Sequence, residues 1–200
     1  MITISIQAGG RSVRMGENKA LKKFLDIPLI QRVVNRVKPV AGEMNIITAE
    51  PDLFRFLGLP AYPDRYTGRG LLGGIFTALS VSNLEYVAPV GCDMPFLSAA
   101  LITAEMARLE AAQADVVIPE TARGLEPLHA VYRRDTCLAP AEKAILDGEW
   151  RVISWFQQVK VVVLNASEVY EIDPSPYLFM NLNTPEEFEA AEEIARKGLD

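Results

Sequence analysis

Histidine and cysteine are nearly absent from this chain of 200 residues: His129 is the single histidine, and Cys92 and Cys137 are the only cysteines. One histidine excludes a multi-histidine metal centre, and two isolated cysteines make neither a zinc cluster nor a disulfide framework. No stretch approaches the roughly 18 apolar residues of a membrane span, and Met1 to Ile6 lacks the basic flank of a secretory signal. The expectation is a cytoplasmic protein. Positive charge is also in short supply. Twenty Lys and Arg against 26 Asp and Glu leave a net charge of −6. That balance disfavours nucleic acid or an anionic membrane as a partner held by bulk electrostatics. A phosphorylated ligand would have to be met by a few local cations, with or without a metal. Gly and Pro, at 13 each, are too few for a collagenous or low-complexity chain, and 50% hydrophobic with 23% charged residues is an ordinary globular balance.

What is present reads as alternating strands and helices. Ile2, Ile4 and Ile6 alternate with Thr3 and Ser5, which is strand periodicity. Val33, Val34 and Val37 fall at helical spacing, and 45–48 is a short strand. A helix is expected over 72–79 and a buried strand over 86–90, where the run is apolar throughout. Ser98 suits the N-cap of a helix to Ala112, and strands are expected over 115–118, 128–132 and 161–164. Helices are expected over 141–146 and 153–158. Thr184-Pro185-Glu186-Glu187 combines a capping residue, a proline at the first helical position and a capping-box glutamate. The pattern predicts one α/β sandwich with a mostly parallel sheet over 1–200, with no linker dividing it.

Four segments carry chemistry. In the first, a strand runs into Gln7-Ala8-Gly9-Gly10, and Arg14 and Lys19 follow in the same loop. Backbone amides freed by the glycines, with two cations, suit a triphosphate. The loop is neither a Walker A motif nor G-x-G-x-x-G: the glycine spacing differs, and Ala20 follows Lys19. In the second, Asp93 leaves the carboxyl end of the 86–90 strand, where α/β sheets bind ligands. Magnesium takes one or two carboxylates together with phosphate oxygens and water, so Asp93 is the best metal ligand on the chain. In the third, Asp64 precedes a glycine-rich stretch, 68–74. Its carboxylate suits the N1–H and 2-amino group of guanine, and equally a ribose hydroxyl. In the fourth, Asn181 and Asn183 are two apart and share a face if the segment is extended. His129, among apolar neighbours, reads as a packed ring rather than a catalyst.

The loop from Ala8 to Lys19 resembles the signature of the MobA-like nucleotidyltransferases, Leu-Ala-Gly-Gly-x-Ser-x-Arg-Met-Gly-x-x-Lys, with Gln7 in place of the leucine. Cys92-Asp93-Met94-Pro95, the 126–132 segment and Asn181-Leu182-Asn183-Thr184-Pro185-Glu186 resemble further family segments in the same order. Two departures stand out: Arg69 replaces a proline, and Trp150 replaces the first arginine of a Gly-x-Arg-Arg-Val stretch, leaving Arg151.

The resemblance implies a single-domain, Rossmann-like α/β/α sandwich of the nucleotide-diphospho-sugar transferase type. It implies a nucleotide-binding part over about 1–97 and an acceptor-binding part over about 98–200. The Gly9-Gly10 pair is similar to the guanylyl branch, so the implied reaction transfers GMP from GTP to the terminal phosphate of molybdopterin. Arg14, Lys19 and Asp93 would be catalytic, and Mg²⁺ would sit on Asp93. Gln7, Ala8, Gly9, Gly10, Lys19, Asp64 and Asp93 would contact GTP, and Arg151, Asn181 and Asn183 the acceptor. Transient contacts with cofactor-insertion proteins or apo-molybdoenzymes are implied too. A cytidylyltransferase for the same pterin and a non-catalytic GTP-binding module are the alternatives.

Overall fold

The computed structural model describes residues 1–9 and 18–199. Its sheet is built around β1 (Ile2–Gln7), which pairs in parallel with β4 (Ala41–Ile47) on one side and β6 (Tyr86–Gly91) on the other. β5 (Ala61–Tyr62) extends the sheet beyond β4. Beyond β6 lies β9 (Val131–Arg133), antiparallel to both of its neighbours, then β7 (Val116–Thr121) and β10 (Val161–Leu164), which are parallel to one another. Among the described residues two short pairings complete the strands: β8 (Gly124–Leu125) returns along β7, and β2 (Lys23–Phe24) pairs with β3 (Ile27–Pro28). The chain leaves β1 in one direction for β4 and β5, then crosses back to β6 on the far side. That reversal puts a crevice at the carboxyl ends of β1, β4 and β6.

Alternation along β1 explains the layers. Ile2, Ile4 and Ile6 face α1 (Leu29–Val37) and α3 (Ala99–Ala112) in one core. A second core lies on the opposite face, where α2 (Gly70–Val81) and α4 (Arg134–Leu146) pack with Val87, Val116 and Trp155. Helices on both faces of a mostly parallel sheet make the expected α/β/α sandwich. A third cluster joins Phe24, Phe96 and Leu182 to Phe188 of α6 (Pro185–Arg196). The helix starts behave as their residues predict: Ser98 accepts from the Leu101 N–H, and Thr184 and Glu187 form a reciprocal capping box.

The structure adds elements that periodicity did not mark. α4 begins at Arg134 rather than near Ala141 and carries Pro140 within it. α5 (Ala166–Ile172) is short but has its own capping box, Asn165 with Glu168. His129 is a packed ring, as expected. It is fully buried, its Nε2 accepts the Ser98 N–H at 3.3 Å, and Phe179 meets it edge-on at 5.4 Å. Its Nδ1 lies 3.5 Å from Oε1 of Glu105, a wholly buried carboxyl on α3. Burial pushes the Glu105 carboxyl up to about 7, with the contact to His129 pulling the other way.

Candidate active site

A cavity of about 530 Å³ opens in the crevice above β1, β4 and β6. Gln7, Ala8 and Gly9 line one side, and the first turn of α2, with Gly70 and Leu71, lines another. Among the described residues no side chain caps that helix start, so its first N–H groups are left without an intrahelical or side-chain acceptor beside the cavity. Cys92 and Asp93 come from the end of β6, and Leu128 and Asn183 from the second half of the chain. Asn18 and Leu128, from the signature loop and the 126–132 segment, also line the cavity, as does Ile47 at the end of β4, which the sequence reading had placed only in a strand.

Lys19 and Asp93 meet at the floor, with Nζ 2.6 Å from Oδ2. The same ammonium donates to Oδ1 of Asn183 at 3.1 Å. Three residues from distant parts of the chain therefore converge on one point. Each is locally fixed. Lys19 opens a short 3-10 helix whose cap, Asn18, accepts from the Ala20 N–H. Asp93 turns back over Gly91, where a Cβ would come within 2.7 Å of its Oδ1, so a side chain there would displace the carboxylate. The Asp93 carbonyl accepts the Leu182 N–H at 3.0 Å, which ties the segment bearing Asn183 to the floor. The neighbouring Cys92 thiol is pushed up to about 12 by burial and by the Asp93 carboxylate, so it is a neutral wall and no nucleophile.

Asp64 lies at the opposite wall. Its Oδ1 is buried and has no hydrogen-bond partner among the described residues. Its carboxylate is flanked by Gly9 and Gly74: Cβ atoms built there would fall 3.8 Å from Oδ2 and 3.8 Å from Oδ1, respectively. Burial raises its pKa above the ordinary carboxylate range. A carboxyl raised in the native state holds more protons folded than unfolded, so its contribution to stability falls as pH rises through that window. Asp64→Asn is therefore expected to raise the melting temperature of the ligand-free protein at pH 7, with the gain vanishing below the normal aspartate range. A nucleotide that donates to this carboxylate should lose affinity in the same variant. Thermal melts at several pH values, with and without GTP, check both signs.

Of the other expected site residues, Gly10 and Arg14 lie outside the described residues. Asn181 does not reach the cavity: its Nδ2 points to the Phe179 carbonyl, 3.5 Å away. Arg151 is exposed at the start of the 3-10 helix over 152–158 and is likewise not part of the cavity wall. The two departures, Arg69 and Trp150, touch one another: the guanidinium stands 5.6 Å from the ring centroid of the exposed Trp150.

Comparison with known proteins gives this geometry a family. The model of the MobA-like NTP transferase domain matches residues 4–166. The chain belongs to that family. A molybdenum cofactor guanylyltransferase of Desulfosudis oleivorans is 35% identical over 200 residues, covering 98% of this chain and 97% of the relative. Among solved structures, molybdopterin-guanine dinucleotide biosynthesis protein A of Archaeoglobus fulgidus superposes with a TM-score of 0.83 at 25% identity, covering 98% of this chain and 99% of its own. A 4-diphosphocytidyl-2C-methyl-D-erythritol synthase from Anaerococcus prevotii shares the fold, with a TM-score of 0.71 at 14% identity. As a MobA-like NTP transferase, the chain is a nucleotidyltransferase. Among the described residues no helix is long and apolar enough to cross a membrane.

Proposed function

We propose that this protein transfers GMP from GTP to the terminal phosphate of molybdopterin and releases pyrophosphate, acting in the cytoplasm. The observation that carries the reading is the convergence of Lys19, Asp93 and Asn183 at the floor of a cavity whose far wall holds the unpartnered Asp64 carboxylate. One end of the cavity suits phosphate charge and the other suits hydrogen-bond donors of a base or ribose. Lys19 would hold the leaving pyrophosphate, Asp64 the nucleoside, and Asn183 the reacting phosphates or the acceptor. Amides of the Gly9-Gly10 loop, with Arg14, complete the contacts to GTP, and Ala8, whose own N–H is held by the Ile47 carbonyl, lines the wall beside them. Arg151 and Asn181 would meet the acceptor outside the cavity.

The residues at the floor fit magnesium. Asp93 Oδ2 and Asn183 Oδ1 already converge on a single cation, the Lys19 ammonium, and both are hard oxygen donors. One carboxylate and one amide are too few to hold the ion alone, which suits a metal that arrives with the triphosphate. Magnesium bound there would offset charge on the phosphates during transfer. The acceptor is a phosphate monoester, largely ionised at neutral pH because its second pKa is near 6. No general base is required, which agrees with His129 being buried under Ser98 and Phe179 rather than exposed to the cavity. Transfer would then rest on positioning and charge stabilisation. The product would pass to cofactor-insertion proteins or apo-molybdoenzymes by transient contact.

The test is pyrophosphate release with molybdopterin and Mg²⁺ in the presence of GTP, CTP or ATP. Release with GTP in clear preference to the others is expected. Preference for CTP would move the protein to the cytidylyl branch, and GTP binding without pyrophosphate release would make it a non-catalytic module.

A further inference from the structure

Gln7 stands where the family pattern has leucine, and its surroundings assign its side chain a use. Thr3, Ser5 and Gln7 form a polar row on the α2 side of β1. Thr3 and Ser5 donate to the residues opposite them in β4: to Glu43 at 2.9 Å and to Asn45 at 2.6 Å. Opposite Gln7 stands Ile47, whose side chain has no polar atom. The third member of the row therefore borders the cavity without a cross-strand partner. Its Nε2 lies 3.5 Å from the Ser5 carbonyl, at the outer limit of a hydrogen bond. The amide and the Asp64 carboxylate stand side by side. A Cβ on Gly74 would lie 2.4 Å from Gln7 Oε1 and 3.8 Å from Asp64 Oδ1. Only the absence of a side chain at Gly74 leaves the amide its place.

As it stands the Gln7 amide turns Oε1 towards Gly74 and Asp64 and Nε2 towards the Ser5 carbonyl. A half-turn about its last bond, giving up only that long contact, presents the NH₂ group instead. An NH₂ donor next to a carboxylate that only accepts is complementary to a ring edge reading acceptor, donor, donor. Guanine reads in that order: O6, N1–H, 2-amino. Adenine offers a donor at position 6 and an acceptor at N1. Cytosine offers one donor followed by two acceptors. Both would set a lone pair against the Asp64 carboxylate.

We propose that Gln7 is a base-specificity residue whose carboxamide donates to guanine O6 while Asp64 takes the N1–H and 2-amino donors. This rests on the GTP reading above and adds to it a discriminating contact that a leucine cannot make.

Calorimetric binding of GTP, ITP and 2-aminopurine riboside triphosphate to the full chain and to Gln7→Leu and Gln7→Glu tests it. GTP and ITP carry O6; 2-aminopurine lacks both O6 and N1–H, so it binds the wild type more weakly and is read only as the ratio of variant to wild type. Gln7→Leu is expected to lose about ten-fold in affinity for both GTP and ITP, the worth of one hydrogen bond. Its affinity for 2-aminopurine riboside triphosphate should not change. Gln7→Glu keeps the shape but replaces a donor with a second carboxylate, so it should lose more than the leucine variant. Thermal melts confirm that each variant is folded. GTP affinity within about two-fold of wild type in both variants, or an equal loss for all three nucleotides, would overturn the proposal. A wild-type protein that binds CTP more tightly than GTP would instead overturn the guanylyl reading, and that result is read before either variant is made.

Discussion

Asp93→Asn is expected to lower turnover by at least ~100-fold, equivalent to ~2.7 kcal/mol at the barrier. The substitution keeps shape and volume and removes one charge, so it isolates electrostatics from packing. Two contributions are lost together. The oxygen that faces the Lys19 ammonium at 2.6 Å loses its full negative charge, and the best metal-ligating group at the floor is gone. The ion pair is only partly exposed, its side chains retaining 12% and 20% of their accessibility. Its loss should therefore lower the melting temperature as well, by the equivalent of about 1 kcal/mol. An acidic cleft relieved of repulsion would have gained stability, but the Lys19 partner reverses that sign. Steady-state kinetics with GTP and Mg²⁺, beside a thermal melt, separate the two effects. Turnover near wild type in this variant would mean that the reacting phosphates are stabilised elsewhere.

Lys19→Ala should cost turnover a similar ~100-fold, because a compact cation facing the departing pyrophosphate acts most strongly as charge develops there. It should also leave Asp93 without its counter-charge and Asn183 without its donor, so the floor loses the atom on which both converge. Lys19→Arg tests shape against charge. The guanidinium keeps the charge but is planar and forked, and the site is built around a single point 2.6 Å and 3.1 Å from two oxygens. Partial recovery at most is expected. The double variant Lys19→Ala/Asp93→Asn should lose less than the two single effects combined, since the residues touch. Wild-type turnover in Lys19→Ala would reduce the loop to a structural turn.

The sequence was most informative where one residue pattern decides one element. β1 follows from strict alternation, β6 from an apolar run, and α6 from Thr184, Pro185 and Glu187 acting within a single turn. It was least informative where tertiary packing decides. The β2–β3 pair is two residues long on each side, and Phe24 is held by Phe96 and Phe188 from far along the chain. α4 was cut short because its first turns are polar and a proline lies within it. At the site, Lys19, Asp64, Asp93 and Asn183 were each legible from chemistry and family pattern, and the structure brings all four to one cavity. Asn181 and Asn183, paired by spacing, are placed differently: Asn183 lines the cavity, while the Asn181 amide lies against the Phe179 carbonyl, a local contact that spacing does not reveal. Glu105 gave no signal. A glutamate on a helix reads as solvated, and only the placement of His129 shows that this one is not.

The tie between the Leu182 N–H and the Asp93 carbonyl has a consequence for how the protein comes to be made. A growing chain emerges from its amino end, and β1, β4 and β6 can pair once residue 91 is available. The wall with Gln7, Asp64 and Asp93 can thus form early. Asn183 and the helix that follows are synthesised after that wall, and they complete the floor only when their segment docks against the Asp93 backbone and the Phe24–Phe96 cluster. A partly synthesised chain would hold most of the nucleotide wall but lack the last oxygen at the reacting end. Competence would therefore be gained in one step, when that segment docks, and a chain truncated before Leu182 would be left with a cavity and an unfinished floor.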